Sequence, residues 1–120
     1  MARLIIVDDA ALMRMMLKQI VLDMGHEVVG EAENGEEAVQ RYMSWKPDLI
    51  IMDITMPVMD GLTALKAIIE FNHRAKVIIC SALGRKNVVA EAFQAGAKEF
   101  LVKPYERERV MDSISKVIQM

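Results

Sequence analysis

Five short apolar runs, rich in isoleucine and valine, alternate along the chain with segments of helical periodicity. The runs begin near residues 3, 27, 49, 76 and 99. The intervening segments place apolar residues three and four positions apart, as in a helix with one buried face. Each predicted strand is followed by a helix leading to the next strand, so the strands must lie parallel, with helices on both faces of the sheet. The sequence therefore predicts an α/β fold: a doubly wound, five-stranded parallel sheet with five helices.

Glycine, proline and polar residues mark where the predicted helices begin and end. Gly25 should end the first helix, Asn34 should cap the second, and the third should follow Asp60-Gly61. We expect the second helix to end before Pro47 and the fourth to run from about Asn87 to Ala95. The fifth should begin after Tyr105. The expected buried faces are Met13, Met16, Leu17, Ile20, Val21 and Met24 in the first helix, and Ala38 and Tyr42 in the second. They are Leu62, Leu65, Ile68 and Ile69 in the third, Val89, Ala92 and Phe93 in the fourth, and Val110, Ile114, Val117 and Ile118 in the fifth.

Composition limits the classes of protein to consider. The 120 residues are 53% hydrophobic and carry a formal charge of −2, which predicts one folded domain over residues 1–120 and gives no basic footprint for nucleic acid. We find no signal peptide and no apolar run long enough to span a membrane, so we expect a cytoplasmic protein. Cys80 is the only cysteine, and its apolar surroundings favour a core position over a catalytic one.

Charged and hydroxyl side chains follow four of the five predicted strands. Asp8 and Asp9 follow the first, Asp53 ends the third, Ser81 follows the fourth and Lys103 follows the fifth. Taken singly, each has an ordinary interpretation: a helix cap, a turn or a solvated lysine. However, the carboxyl ends of parallel strands meet at one edge of the sheet, so these groups should share one crevice.

Three carboxylates in one crevice favour a bound cation. Two carboxylates repel by about 4 kcal/mol at ~4 Å and an effective dielectric constant of about 20. Oxygen ligands without a nearby cluster of histidine or cysteine favour Mg²⁺. Asp53 lies between a buried strand and Pro57, where its carboxylate could attack phosphorus. Ser81 could then donate a hydrogen bond to a phosphoryl oxygen, and Lys103 could neutralise the phosphate.

Several short motifs make the chain resemble the response-regulator receiver family from about residue 3 to residue 119. They are Val7-Asp8-Asp9, Met52-Asp53-Ile54-Thr55-Met56-Pro57-Val58-Met59-Asp60-Gly61, Ser81-Ala82, Ala95-Gly96-Ala97 and Val102-Lys103-Pro104-Tyr105. The segment from Asp8 to Arg14 is similar to the opening of stand-alone chemotaxis members of the family. The resemblance implies strand order 2-1-3-4-5, a flavodoxin-like receiver fold without an attached output domain, and a signalling role rather than an enzymatic one.

The resemblance also implies a role for each residue of the crevice. Asp53 would accept a phosphoryl group from a histidine kinase, and Asp8, Asp9, Asp53 and the backbone carbonyl of Thr55 would hold Mg²⁺. Lys103 and Ser81 would contact the phosphoryl oxygens. Ser81 and Tyr105 would then form a switch that remodels the surface of the fourth helix, fifth strand and fifth helix.

The family resemblance further implies partners. We expect a chemotaxis histidine kinase, a flagellar motor switch protein and a monomeric state. Thr55 and Leu83 carry no carboxylate or amide to orient an attacking water, which leaves room for a separate phosphatase. Two other functions remain open: an intermediate in a phosphorelay, and a metal-dependent phosphohydrolase, which would usually need a second acid at Thr55. A binding domain that is never phosphorylated would leave the charged strand ends unexplained.

Overall fold

The computed structural model describes residues 1–120, and all five strands form one parallel sheet in the order β2-β1-β3-β4-β5. The predicted fold class and strand order are therefore confirmed. The strands are β1 (Arg3–Val7), β2 (Glu27–Ala32), β3 (Leu49–Asp53), β4 (Val77–Ser81) and β5 (Glu99–Val102). The helices are α1 (Ala11–Asp23), α2 (Gly35–Trp45), α3 (Gly61–Phe71), α4 (Lys86–Gln94) and α5 (Arg107–Ile118).

The sheet is buried on both faces, as expected for parallel strands covered by helices. Every residue of β3 and β4 is buried. Alternate strand residues contact different helices because successive side chains point to opposite faces. On one face, Ile50 and Ile79 belong to a core shared with α2, α3 and α4. On the other, Ile51 and Ile78 belong to a core shared with α1 and α5.

The helix boundaries follow the local signals in the sequence. The Asn34 side chain accepts a hydrogen bond from the backbone N–H of Glu37 at 2.9 Å, and Asp60 accepts one from Thr63 at 2.7 Å. Each bond satisfies a donor that the first turn of a helix leaves unpaired. Gly25 follows α1 with a φ of 83°, a conformation that glycine adopts without strain. By contrast, α1 has Ala10 at its N-cap and no side-chain cap.

Two predicted core residues are exposed instead. Phe93 was expected on the buried face of α4, but it is 44% exposed, because Ala92 is the only buried residue of that helix. Adjacent helical residues differ by about 100°, so the contact through Ala92 turns Phe93 away from the sheet. Met16 was expected on the buried stripe of α1 and is 39% exposed. Met15 and Met43 are also exposed. No helix combines the length and apolar character that a membrane span requires.

Candidate functional site

The carboxyl edge of the sheet gathers the acidic residues that the sequence placed there. Asp8 directly follows β1, and Asp53 is the last residue of β3, the central strand that pairs with both β1 and β4. Ligand oxygens of Asp8, Asp9 and Asp53 all lie within 4.8 Å of one another. Asp8 and Asp53 are buried, whereas Asp9 is exposed. Three carboxylates thus form one cluster, which we call the acidic triplet.

Lys103 supplies the positive charge next to the acidic triplet. Its Nζ lies 2.7 Å from Asp8 Oδ2 and 3.3 Å from Asp53 Oδ2. The lysine side chain is 17% exposed, so both ion pairs are largely shielded from water. The Lys103–Pro104 peptide bond is cis. The structure therefore brings Lys103 to the carboxylates that the sequence predicted it would join.

Burial and charge shift the pKa values of two groups at this edge. Burial raises the pKa of Asp53 above its ordinary value, and the nearby Asp8 carboxylate raises it further, although Lys103 opposes both effects. Burial by itself would lower the pKa of Lys103, but its hydrogen bond to Asp8 and the charge of Asp53 raise it overall. The ammonium group of Lys103 is thus held in its charged form. For ionised Asp53, the attraction of Lys103 does not fully offset burial and the repulsion from Asp8. A cation beside Asp53 would favour the carboxylate that a nucleophile requires.

The two adjacent aspartates have different surroundings. Asp8 Oδ1 accepts a hydrogen bond from the backbone N–H of Ala10 at 2.9 Å, and Oδ2 binds Lys103. The Asp9 carboxylate makes no hydrogen bond or ion pair within the protein. Neither aspartate caps α1, because Ala10 occupies the cap position and the helix has no side-chain cap bond. The helix-cap interpretation is therefore wrong for both, and Asp9 has its oxygens free for a ligand.

Neither the Ser81 nor the Tyr105 hydroxyl bonds to the acidic triplet. Ser81 Oγ accepts a hydrogen bond from the backbone N–H of Leu83 at 2.9 Å, which is the local turn that serines often make. The Tyr105 hydroxyl is buried beside the Cys80 thiol without a conventional hydrogen-bond partner. Burial raises the pKa of Tyr105, and it raises the pKa of Cys80 to about 12. The Tyr105 hydroxyl is therefore shielded from water, and Cys80 is a neutral core residue.

The loop after β3 is tightly constrained. The backbone N–H of Ile54 donates to Asp53 Oδ1 at 3.0 Å, and that of Gly61 donates to the Ile54 carbonyl at 2.8 Å. A Cβ atom at Gly61 would lie 2.0 Å from the Asp53 carbonyl oxygen, so only glycine permits this approach. Within the loop, Val58 has a φ of 69°, which is strained for a β-branched residue. The fold thus fixes the backbone around Asp53.

Arg14 also contacts the site, although the sequence interpretation assigned it no role beyond its place in a motif. Its guanidinium donates a hydrogen bond to the Asp8 carbonyl oxygen at 2.8 Å and pairs with Glu31 at 3.1 Å. The available signal was a lone arginine about one turn into the helix that follows Asp8 and Asp9. That signal does not reveal the partner, because Glu31 lies on another strand.

Comparison with known proteins agrees with this geometry. A family model described as the response regulator receiver domain matches residues 4–115. The chain belongs to this family. The chemotaxis protein CheY of Bacillus subtilis (strain 168) is 54% identical over 116 residues, which are 97% of this chain and 97% of the relative. CheY of Thermotoga maritima is 54% identical over 115 residues, covering 96% of each chain.

Solved structures show the same fold. A chain in the crystal structure of the CheX-CheY-BeF3-Mg complex from Borrelia burgdorferi superimposes with a TM-score of 0.94 and 40% sequence identity. The match covers 96% of this receiver domain and 87% of that chain. The similarity of this chain to the CheY proteins of Bacillus subtilis and Thermotoga maritima makes it a CheY-type receiver domain, a signalling switch of chemotaxis.

Proposed function

We propose that this chain is a phosphorylation-activated chemotaxis switch in which Asp53 accepts a phosphoryl group from a histidine kinase. The proposal depends on one observation: the acidic triplet lies within 4.8 Å, with the Lys103 ammonium in contact with Asp53. A structural cluster alone would not place a third, unpaired carboxylate beside two buried ones, because like charges repel. A site that receives a cation and a phosphoryl group accounts for all four charges.

The donor set fits Mg²⁺. The acidic triplet offers only carboxylate oxygens, which hard divalent cations prefer. With all groups ionised, three carboxylates and one ammonium leave a formal charge of −2, which one divalent cation balances. We infer that Asp8, Asp9, Asp53 and the backbone carbonyl of Thr55 hold the ion. When bound, it screens the repulsion between the carboxylate of Asp53 and the incoming phosphoryl oxygens.

The transfer step follows from the chemistry of a carboxylate nucleophile. A carboxylate oxygen of Asp53 forms a bond to phosphorus as the bond from phosphorus to the imidazole nitrogen of the donor histidine breaks. The imidazole leaves with the electron pair of that bond. Lys103 then pairs with the new phosphoryl oxygens as a point charge. The single negative charge of the Asp53 carboxylate is thereby replaced by a phosphoryl group that carries about −1.5 to −2 at a buried position.

The added charge supplies the switching signal. Ser81 would exchange its bond with the Leu83 N–H for a bond to a phosphoryl oxygen, and Tyr105 would respond to that movement. The surface formed by α4, β5 and α5 is then the output, and we propose a flagellar motor switch protein as its partner. The crystal structure from Borrelia burgdorferi contains a CheX-CheY complex, which supports a second chemotaxis protein as a partner. Residues 1–120 would act as one monomeric, cytoplasmic receiver domain.

A mass measurement tests the proposal. The protein is incubated with Mg²⁺ and acetyl phosphate, and its intact mass is measured for the wild type and Asp53→Asn. We expect one phosphoryl adduct on the wild type and none on the variant. Asp112→Asn is the matched control, because Asp112 is an exposed aspartate of α5 and should leave the adduct intact. An adduct on Asp53→Asn would contradict the assignment, and continuous release of phosphate from simple monoesters would instead favour a phosphohydrolase.

A further inference from the structure

Arg14 is a largely buried arginine that connects the acidic triplet to the edge strand β2. Its side chain is 14% exposed. One terminal nitrogen donates to the Asp8 carbonyl oxygen at 2.8 Å, and Nε donates to Glu31 Oε1 at 3.1 Å. The other terminal nitrogen lies 3.8 Å from Glu33 Oε1. The planar guanidinium thus bridges the turn after β1 and the acids at the end of β2, which suits its fixed fork of donors.

The turn that Arg14 contacts lies between β1 and an uncapped helix. Helix α1 begins at Ala11 with no side-chain cap and no acidic residue in its first turn. The Asp9 carboxylate has no partner within the protein, so its distance from Asp53 depends on the backbone of residues 8–10. That backbone is held by bonds from Asp8 N–H to the Ala32 carbonyl at 3.1 Å and from Ala10 N–H to Asp8 Oδ1 at 2.9 Å. The Arg14 N–H also donates to the Ala10 carbonyl at 3.2 Å, and the Arg14 guanidinium donates to the Asp8 carbonyl at 2.8 Å. The Asp8 carbonyl belongs to the peptide that joins Asp8 to Asp9, so Arg14 is placed to help orient the Asp9 carboxylate, which has no partner of its own.

The charge of Arg14 does not by itself oppose a cation at the site. Glu31 and Glu33 both lie within 4 Å of the guanidinium, so its positive charge is offset locally. Lys18 also pairs with Glu31, at 3.8 Å, but makes no contact with Asp8. Arg14 and Lys18 thus share an acidic partner and differ in whether they reach the turn. Replacing Lys18 therefore removes a nearby positive charge without disturbing the turn, whereas replacing Arg14 removes both the charge and the bond to the turn.

We propose that Arg14 is a positioning residue for the cation of the acidic triplet: by holding the Asp8 carbonyl, it keeps the Asp8 and Asp9 carboxylates at ligand distance from Asp53. The inference rests on the proposed magnesium site. Groups that orient metal ligands commonly change metal affinity by about 10–100-fold when removed. If Arg14 acted only through its positive charge, its removal would instead lower the Kd for the cation, because like charges repel.

Calorimetric titration with Mg²⁺ tests the proposal on the wild type, Arg14→Gln and Lys18→Gln. We expect Arg14→Gln to raise the Kd for Mg²⁺ about tenfold. Lys18→Gln should leave the Kd within about twofold of the wild type, because an exposed ion pair contributes little. Ile114→Val, a core change on α5 that does not touch the site, controls for lost stability and should leave the Kd unchanged. Circular dichroism confirms that each variant is folded.

The outcomes separate the inference from the proposed function. Unchanged or tighter Mg²⁺ binding by Arg14→Gln, with the wild type binding normally, overturns the role of Arg14 alone. Absence of Mg²⁺ binding by the wild type at millimolar concentration overturns the magnesium site as well. If Arg14→Gln does not fold, Arg14→Lys replaces it: this variant keeps the charge but lacks the planar fork, so we expect about threefold weaker binding. Wild-type affinity in Arg14→Lys would then overturn the proposal.

Discussion

In β1, β3 and β4 the interior residues are apolar and fully buried, whereas a charged or polar residue that is also buried lies at the carboxyl end of β3 and β4 and directly after β1. Ile51 lies in the middle of β3 with no exposed surface, and two residues later Asp53 is only 6% exposed. Burial of an apolar side chain stabilises the fold by removing it from water. Burial of a charge opposes folding unless a partner compensates it. One strand thus contributes stability at its centre and reactivity at its end.

This difference shows how a single sheet serves two purposes. The interior tolerates changes that keep apolar volume, because its contacts are non-directional. The edge depends on particular atoms at particular distances, since Lys103 has to compensate two carboxylates at 2.7 and 3.3 Å. Changes in the interior should therefore alter stability alone. Changes at the edge should alter stability in a way that depends on pH and Mg²⁺.

The largest effect is expected from truncation in the interior. Ile51→Ala should lower the free energy of unfolding by about 3 kcal/mol, because it removes buried methyl and methylene groups and leaves a cavity. Urea unfolding measures the loss, and Ile51→Val should lose only about 1 kcal/mol. The Mg²⁺ affinity of the folded protein should not change. A loss for Ile51→Ala as small as that for Ile51→Val would contradict the close packing of this strand.

Removal of the lysine at the edge should have the next largest effect. Lys103→Met leaves the carboxylates of Asp8 and Asp53 without their cationic partner, which should destabilise the metal-free protein by about 2 kcal/mol. Mg²⁺ should restore more stability to this variant than it adds to the wild type, since the ion replaces the missing charge.

Urea unfolding with and without Mg²⁺ measures both quantities for Lys103→Met. Lys66→Met is the control, because Lys66 and Glu91 are both exposed and pair at 3.7 Å on the surface. That variant should change stability by less than about 0.5 kcal/mol and should show no special response to Mg²⁺. If Mg²⁺ stabilised both variants equally, the carboxyl edge of the sheet would not differ from the rest of the surface in its dependence on charge.

Removal of the central carboxylate should stabilise the metal-free protein. Asp53→Asn should raise the free energy of unfolding by about 1 kcal/mol at neutral pH, because it relieves burial of a charge and its repulsion from Asp8. The pKa of Asp53 is raised in the folded state. The folded protein therefore holds this proton more tightly than the unfolded chain does, and the destabilisation by Asp53 is fully present only above the folded pKa.

The gain from Asp53→Asn should accordingly shrink as the pH falls through the raised pKa towards the ordinary value of 3.8. Urea unfolding of the wild type and variant across this range measures the trend. Asp112→Asn, at an exposed position, provides the comparison and should show no such gain. A gain that grew on acidification would mean that the pKa of Asp53 is shifted in the other direction.

The smallest effect should come from the strained loop at the edge. Val58 is 77% exposed and has a positive φ, so Val58→Gly loses little packing and relieves backbone strain. We expect the free energy of unfolding to rise by about 0.5–1 kcal/mol. Relief of the backbone strain contributes roughly 1–2 kcal/mol, and the greater entropy of glycine in the unfolded chain offsets part of it. Val58→Asn should gain less, and thermal unfolding measures both. A loss of stability in both variants would show that the valine side chain stabilises this loop by contacts.

The fold was predictable because its signals are local. Periodic apolar runs predicted the strands and helices, and Asn34 caps α2 as predicted. The third helix was predicted to follow Asp60-Gly61, and the structure shows that Asp60 caps α3. Exposure of Phe93 was not predictable, since it depends on how α4 sits on the sheet through Ala92. The acidic residues of the candidate site were predictable because they follow buried strands. Arg14 was not, because its partner Glu31 lies on β2, beyond the helix that carries the arginine.

The sequence by itself determined the alternation of strands and helices and the chemistry available at the strand ends, because both depend on residue type and on spacing along the chain. Only the tertiary structure decided which of these groups meet. Lys103 bonds to Asp8 across 95 residues of chain, Asp9 is left without a partner, and Ser81 bonds to its own turn. Such distances follow from how whole helices and strands pack, and the energy of an ion pair depends on the distance between its charges.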